Sequence, residues 1–287
     1  MRKYITGIII IVCVFFLALA AGQATGLSVT QLFAGEQEGS ADAVENMDNV
    51  AEPAEPDLPE PPTEPEVEMP PEYPQGLAYE DVLALIKEPN KKMTENPDAI
   101  LALVNKNNNL AADYVPVGMV EPAVPFSFQN ADEKRLMRPE AAQALEELFA
   151  AATEAGHQLA AVSGFRSYGR QKSIFLNNVQ KSGFERANFF SALPGQSEHQ
   201  TGLAMDVSSA AVGYKLVTNF GETPEGSWLN DNAHIFGFII RYPQDKTDLT
   251  GYQYEPWHLR FVGVDAAAEI NARGWVLEEY LADLNQT

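Results

Sequence analysis

From about residue 77 onward the sequence predicts an α+β fold, a single compact domain with a small antiparallel sheet flanked by helices. Three observations carry this reading. Apolar residues recur at helical spacing in several segments, and short apolar runs of strand character stand between them. The two kinds follow one another without the regular strand-helix repeat of a doubly wound sheet. A chain of 287 residues with 45% hydrophobic content can build an ordinary core.

Each element has its own signal. Pro139 opens a helix whose apolar residues Ala141, Leu145, Leu148, Phe149 and Ala152 share one face, and Gly156 stands where a C-terminal cap belongs. LAAVSGF (159 to 165) reads as a short buried strand, and residues 168–181 read as a second helix. Strands are expected at 203–207 and 238–242, and helical patterns return at 228–236, 265–272 and 277–284. There is no internal repeat.

The N-terminal region has a different composition. Arg2 and Lys3 precede an apolar run from Ile5 to Ala21, the charge order of an export signal, so residues 1–25 are expected to be a signal peptide or an N-terminal membrane anchor. Ala18, Ala20, Gly22 and Ala24 offer small residues to a signal peptidase. The long tether that follows favours a retained anchor, with the rest of the chain outside the cytoplasm. Residues 26–76 are expected to form a disordered, acidic, proline-rich linker. Residues 35–76 contain no Lys or Arg and few large apolar groups, too few to offset the entropy of ordering. Like charges and prolines favour an extended spacer. The remaining residues, 77–287, form the expected globular domain. The formal net charge of -21 is concentrated in the linker, and the absence of clustered Lys and Arg excludes nucleic acid as a partner. Cys13, the one cysteine, lies in the apolar run, so no intramolecular disulfide exists.

Two of the 4 histidines fall in dense polar clusters, His199 in PGQSEHQTGLAMDV and His258 in YEPWHLR. If a strand begins at Leu203, then Leu203, Met205 and Val207 share the core face and Asp206 points to a cleft. Two imidazoles and a carboxylate are a ligand set expected for catalytic zinc, with one position left open. Glu255 lies three residues before His258. In a regular strand those two would face opposite ways, so a bend or bulge at Pro256 is required to bring them together. Glu255 would then serve as the base for a water activated by the metal, passing the proton to the leaving amine. Taken alone, each short cluster reads more readily as an ordinary polar loop, and Glu255 as a surface carboxylate near a strand end. Arg166 has the planar fork that matches a free carboxylate, or steadies charge on an attacked carbonyl. Aromatic Trp257 and Tyr254 are either groove lining or core. Arg241 and Arg260 are expected to pair with acids, His157 to be exposed and His234 to be structural.

Together, SGFRSYGRQ (163 to 171), PGQSEHQTGLAMDVS (194 to 208) and GFIIRYPQDKTDLTGYQYEPWHLRFVG (237 to 263) resemble the VanY-type D-alanyl-D-alanine carboxypeptidases, relatives of the VanX dipeptidases. The resemblance spans roughly residues 100–275. It implies a zinc-peptidase fold, His199, Asp206 and His258 as zinc ligands, Glu255 as catalytic base and Arg166 in the active site facing substrate. Gln171 and Ser197 match positions that lie near substrate in relatives, where either is a substrate contact or a structural hydrogen-bonding residue. The implied activity is hydrolysis of the terminal D-Ala-D-Ala bond of peptidoglycan stem peptides by a monomer outside the cytoplasm. Two alternatives stand beside it: an L,D-carboxypeptidase acting on tetrapeptide stems, and a non-catalytic cell-wall-binding module.

Overall fold

The computed structural model describes residues 79–88 and 92–285. The expected N-terminal signal or anchor (1–25) and the whole of the expected acidic linker (26–76) lie outside them. Among the described residues no helix is long and apolar enough to cross a membrane.

Among the described residues eight helices and four strands follow in the order α1 (Tyr79–Ile86), α2 (Pro139–Glu154), β1 (Ala160–Ser163), α3 (Tyr168–Ser182), α4 (Phe184–Phe190), β2 (Ala204–Ser208), α5 (Pro224–Asn232), β3 (Phe238–Tyr242), α6 (Thr247–Thr250), β4 (Glu255–Phe261), α7 (Val264–Arg273) and α8 (Leu277–Leu284). The strands make one sheet in the order β1-β2-β4-β3, antiparallel throughout. This is the α+β architecture expected from the sequence.

Local chemistry explains the boundaries. Helix α2 starts at Pro139, which needs no N–H partner in the first turn. Ser167 caps α3 by accepting from the Arg170 amide, and Gly183 ends that helix at a φ of 81° that other residues avoid. Helix α5 begins four residues before the expected 228 because Thr223 caps it from the Gly226 amide and Pro224 occupies the first turn. Its last expected residues, Ala233–Phe236, tighten into a 3₁₀ turn. Helices α1 and α4 and the single turn α6 were not anticipated.

The two faces of the sheet differ. Leu203, Met205, Val207, Phe238, Leu259 and Phe261 lie on one face and pack with Ala141, Leu145, Leu148 and Phe149 of α2 in the main core. Cross-strand pairing places Ser163 opposite Asp206 and Asp206 opposite His258, a polar row across three strands. Smaller cores flank the sheet. One joins α1, α3 and α4 through Val82, Phe175 and Phe184; the other joins β3, α7 and α8 through Ile239, Ile270 and Leu277.

Candidate metal centre and catalytic cleft

His199 sits in a short 3₁₀ turn, Glu198–Thr201, which Gly202 ends at a φ of 68° before the chain enters β2. Its Nδ1 donates to the Gly164 carbonyl at 2.8 Å, which fixes the N–H on that nitrogen and leaves the Nε2 lone pair facing inward. Gly164 is required by close approach, since a Cβ there would lie 2.6 Å from the Leu136 carbonyl oxygen. The strand register carries the Asp206 carboxylate to the same spot, with Oδ2 3.2 Å from His199 Nε2.

His258 arrives from β4 by way of an irregularity. Ile240 pairs with Leu259, but Tyr242 pairs with Glu255, so two steps along β3 match four along β4. A regular ladder cannot include Pro256, and the extra residues turn Glu255 and His258 toward one side. His258 Nδ1 lies 3.1 Å from Asp206 Oδ1 and 3.8 Å from Glu255 Oε2. The expected bulge at Pro256 is thus present.

The ligand atoms of His199, Asp206 and His258 all lie within 4.8 Å of one another, and all three residues are buried. Asp206 Oδ1 makes no hydrogen bond of its own among the described residues despite its burial. A buried carboxylate with one oxygen beside each imidazole, Oδ1 by His258 and left without a hydrogen bond, fits a bound cation of the kind that takes mixed nitrogen and oxygen ligands.

Electrostatics agree with that geometry. Burial opposes ionisation of Asp206, yet the two imidazoles beside it hold its carboxyl well below the usual range. Burial also depresses His199 and disfavours charge on His258. For His258 the neighbouring carboxylates Asp206 and Glu198 prevail and push the imidazole up to about 9. Burial pushes the Glu255 carboxyl up to about 8, against the pull of the His258 charge. A dication alongside would draw that value down.

The cluster lines a cleft of about 140 Å³ whose walls include Arg166, Ser197, Tyr252, Gln253, Glu255 and Trp257. Arg166 donates to Gln171 Oε1 at 2.9 Å and to Ser163 Oγ at 3.1 Å, and its guanidinium stands 3.9 Å from Asp206. Gln171 is buried and also donates to the Ala192 carbonyl at 2.6 Å, so its amide steadies Arg166 from behind and is not part of the cleft wall. Ser197 does line the cleft. Trp257 serves both roles weighed for it, as a cleft wall and a core residue. His157 is half-buried and packs on Trp228, with ring centroids 5.9 Å apart.

Sequence reasoning passed over two groups. Tyr252 and Gln253, on the loop before β4, are buried in the cleft wall, and Tyr252 Oη and Gln253 Nε2 have no hydrogen-bond partner among the described residues. Glu198 is the other: a fully buried carboxylate whose Oε1 accepts from Arg241 Nε and from Arg260, each at 2.7 Å. Arg241 also makes a two-pronged contact to Glu278, and Arg260 donates to the carbonyls of Ile100 and Ala102. The expected acid partners of both arginines are therefore real but distant in sequence.

Comparison with known proteins places the site in context. Residues 134–264 match the family model described as VanY, D-alanyl-D-alanine carboxypeptidase. YodJ of Bacillus subtilis (strain 168), a carboxypeptidase by name, is 54% identical over 186 residues, covering 65% of this chain and 68% of that protein. The solved structure of the LdcB LD-carboxypeptidase is similar with a TM-score of 0.66 and 51% identity, covering 68% of this chain and 91% of that one. A variant of the vancomycin resistance D,D-pentapeptidase VanY, solved with Zn(II), gives a TM-score of 0.53 and 34% identity, covering 63% of this chain and 98% of that one.

Proposed function

The chain belongs to the VanY family of D-alanyl-D-alanine carboxypeptidases, and on that premise we propose that it is a zinc carboxypeptidase that releases the terminal D-alanine from peptidoglycan stem peptides. The observation that carries this reading is the convergence of His199 Nε2, Asp206 and His258 Nδ1 on one point of a cleft that also holds Glu255 and Arg166. Zinc held by those three residues would supply Lewis acidity and make water acidic enough to ionise near neutral pH.

Each protein group then has a task. Glu255 faces the same point as His258 Nδ1 and takes the proton of the attacking water, then returns it to the departing amine. Its burial keeps the carboxyl a strong enough base for that exchange. Arg166, braced by Gln171 and Ser163, presents its guanidinium to the substrate's terminal carboxylate or to its scissile carbonyl. Tyr252 Oη and Gln253 Nε2 offer hydrogen bonds to the peptide chain entering the cleft.

Two bonds compete as the target. The sequence led with the D,D bond of pentapeptide stems. The higher identity with LdcB, 51% against 34% for the D,D-pentapeptidase, favours the L,D bond of tetrapeptide stems. The basic residues before the apolar N-terminal run support action outside the cytoplasm, from a membrane anchor or after release. Digestion of defined penta- and tetrapeptide stems, read by mass, tests the assignment. Release of one alanine from the tetrapeptide alone establishes the L,D reading, and release from the pentapeptide alone establishes the D,D reading. Release from neither, by zinc-loaded protein, overturns the function.

A further inference from the structure

Beneath His258 lies a group of buried charges whose wiring is uneven. Glu198 Oε1 accepts two hydrogen bonds, from Arg241 and Arg260, while Oε2 accepts none among the described residues. If this carboxylate served only to neutralise the two arginines, the economical arrangement would use both oxygens, one for each guanidinium. Instead the two donors crowd onto one oxygen. The free oxygen faces His258 Nε2 at 3.5 Å, and that nitrogen likewise has no hydrogen-bond partner among the described residues. Two buried polar atoms with complementary needs thus face each other, at a distance slightly long for a hydrogen bond.

The formal charges around Glu198 are already balanced. Glu198 and Glu278 stand against Arg241 and Arg260, with Arg241 bonded to both acids. The arginines are anchored on their far sides, Arg260 by the carbonyls of Ile100 and Ala102 and Arg241 by Glu278, which also accepts from Asn105. Glu198 itself is 1% exposed. Its carboxylate is consequently held rigidly, with one oxygen left to act on the imidazole.

We propose that Glu198 is a positioning residue whose Oε2 accepts the Nε2–H of His258, fixing the tautomer and ring angle that aim the Nδ1 lone pair at Asp206 and the metal position, while Arg241 and Arg260 lock the carboxylate in place. The mirror arrangement at His199 uses the Gly164 carbonyl on the opposite ring nitrogen. A carboxylate behind a ligand imidazole also raises its basicity, and losing such a partner typically weakens metal binding by about 10- to 100-fold. This inference rests on the zinc reading above.

The test compares Glu198→Gln with Glu278→Gln in the full-length protein. A glutamine at 198 still offers its carbonyl to the two arginines but turns an NH₂ toward His258, which favours the wrong tautomer. Zinc affinity, measured by competition with a chelator, is expected to fall by about 10- to 100-fold in Glu198→Gln. The absorption spectrum of the cobalt(II)-substituted protein should change in the same variant. Glu278→Gln removes a partner of Arg241 without touching His258, so it should leave both readouts at their wild-type values. Wild-type affinity in folded Glu198→Gln, or an equal loss in Glu278→Gln, overturns the proposal. If Glu198→Gln does not fold, nitrogen-15 spectra of the wild-type imidazoles decide the matter. A proton on His258 Nε2 is expected, and a proton on Nδ1 alone in the zinc-loaded protein contradicts it. Should the wild type take up no zinc, the functional reading fails, whereas the tautomer of the neutral His258 ring in the metal-free protein above pH 9 still decides the role of Glu198.

Discussion

The two faces of the β2–β4 pair are buried alike and built from opposite chemistry. On one, Met205, Val207, Leu259 and Phe261 close against α2 in contacts that ask nothing more of the chain. On the other, Asp206, His258 and Arg260 bring charge into the interior, and some of their neighbours' polar atoms are left without a partner. Burying polar groups costs stability unless they are satisfied, so a face that retains orphaned atoms is one kept for a purpose other than folding. Side-chain alternation along two strands is enough to keep the two purposes apart at a distance of one residue.

Substitutions on the two faces should therefore fail in different ways. Asp206→Ala, on the polar face, is expected to have the largest effect on function, removing both stoichiometric zinc and detectable turnover; metal analysis after dialysis and a stem-peptide assay check this. Met205→Ala, its immediate neighbour on the apolar face, should cost about 2–5 kcal/mol of stability in urea unfolding. The fraction that remains folded should still carry one zinc. A Met205→Ala protein that is fully stable yet zinc-free would erase the distinction between the faces.

A smaller effect is expected at Arg166, which contributes through charge-assisted hydrogen bonds worth about 1.5–3 kcal/mol each. Arg166→Ala should lower kcat/KM by roughly ten- to a hundredfold, more for substrates with a free C-terminal carboxylate than for their amides. Equal losses on both would place Arg166 at the scissile carbonyl instead.

Acidity separates the faces again. His258 is pushed up to about 9, above the unfolded value, so its contribution to the stability of the metal-free protein is fully present below about pH 6.5 and is lost as pH rises through 9. Asp206 and Glu198 are shifted downward, and their contribution is present above the usual carboxylate range and lost as pH falls below it. Zinc must displace the His258 proton, so its binding near neutral pH should release protons and tighten as pH rises toward 9. Calorimetry in buffers of different ionisation enthalpy reads that release, and binding without it would contradict the protonated imidazole. The smallest effect is reserved for the expected linker: deleting residues 35–76 should leave turnover on soluble stem peptides unchanged.

The same contrast explains what the sequence disclosed. The apolar face was legible because periodicity is a local property. Leu203, Met205 and Val207 alternate visibly, and α2, α7 and α8 display their stripes within single segments. The polar face was legible only where a motif named its residues, as with His199, Asp206 and His258. Glu198, adjacent to His199, was named by no motif. Its partners Arg241 and Arg260 lie 43 and 62 residues away, a separation that no local pattern encodes. One signal was present: an arginine set among apolar residues in FIIRY and in HLRF must have an acid brought to it from elsewhere. Tyr252 and Gln253 gave less, since only the pairing of β3 with β4 shows their loop entering the cleft. Helix α4 was hidden because it resumes directly after Gly183, where the preceding helix ends.

The most direct test of the account is Glu255→Gln assayed for turnover and zinc content in the same preparation. The amide matches the carboxylate in size but cannot accept a proton from water. The account predicts a fall in kcat of about a hundred- to ten-thousandfold with one zinc still bound per chain. Near-normal kcat at full zinc occupancy would contradict it, and would require another group in the cleft to take the proton.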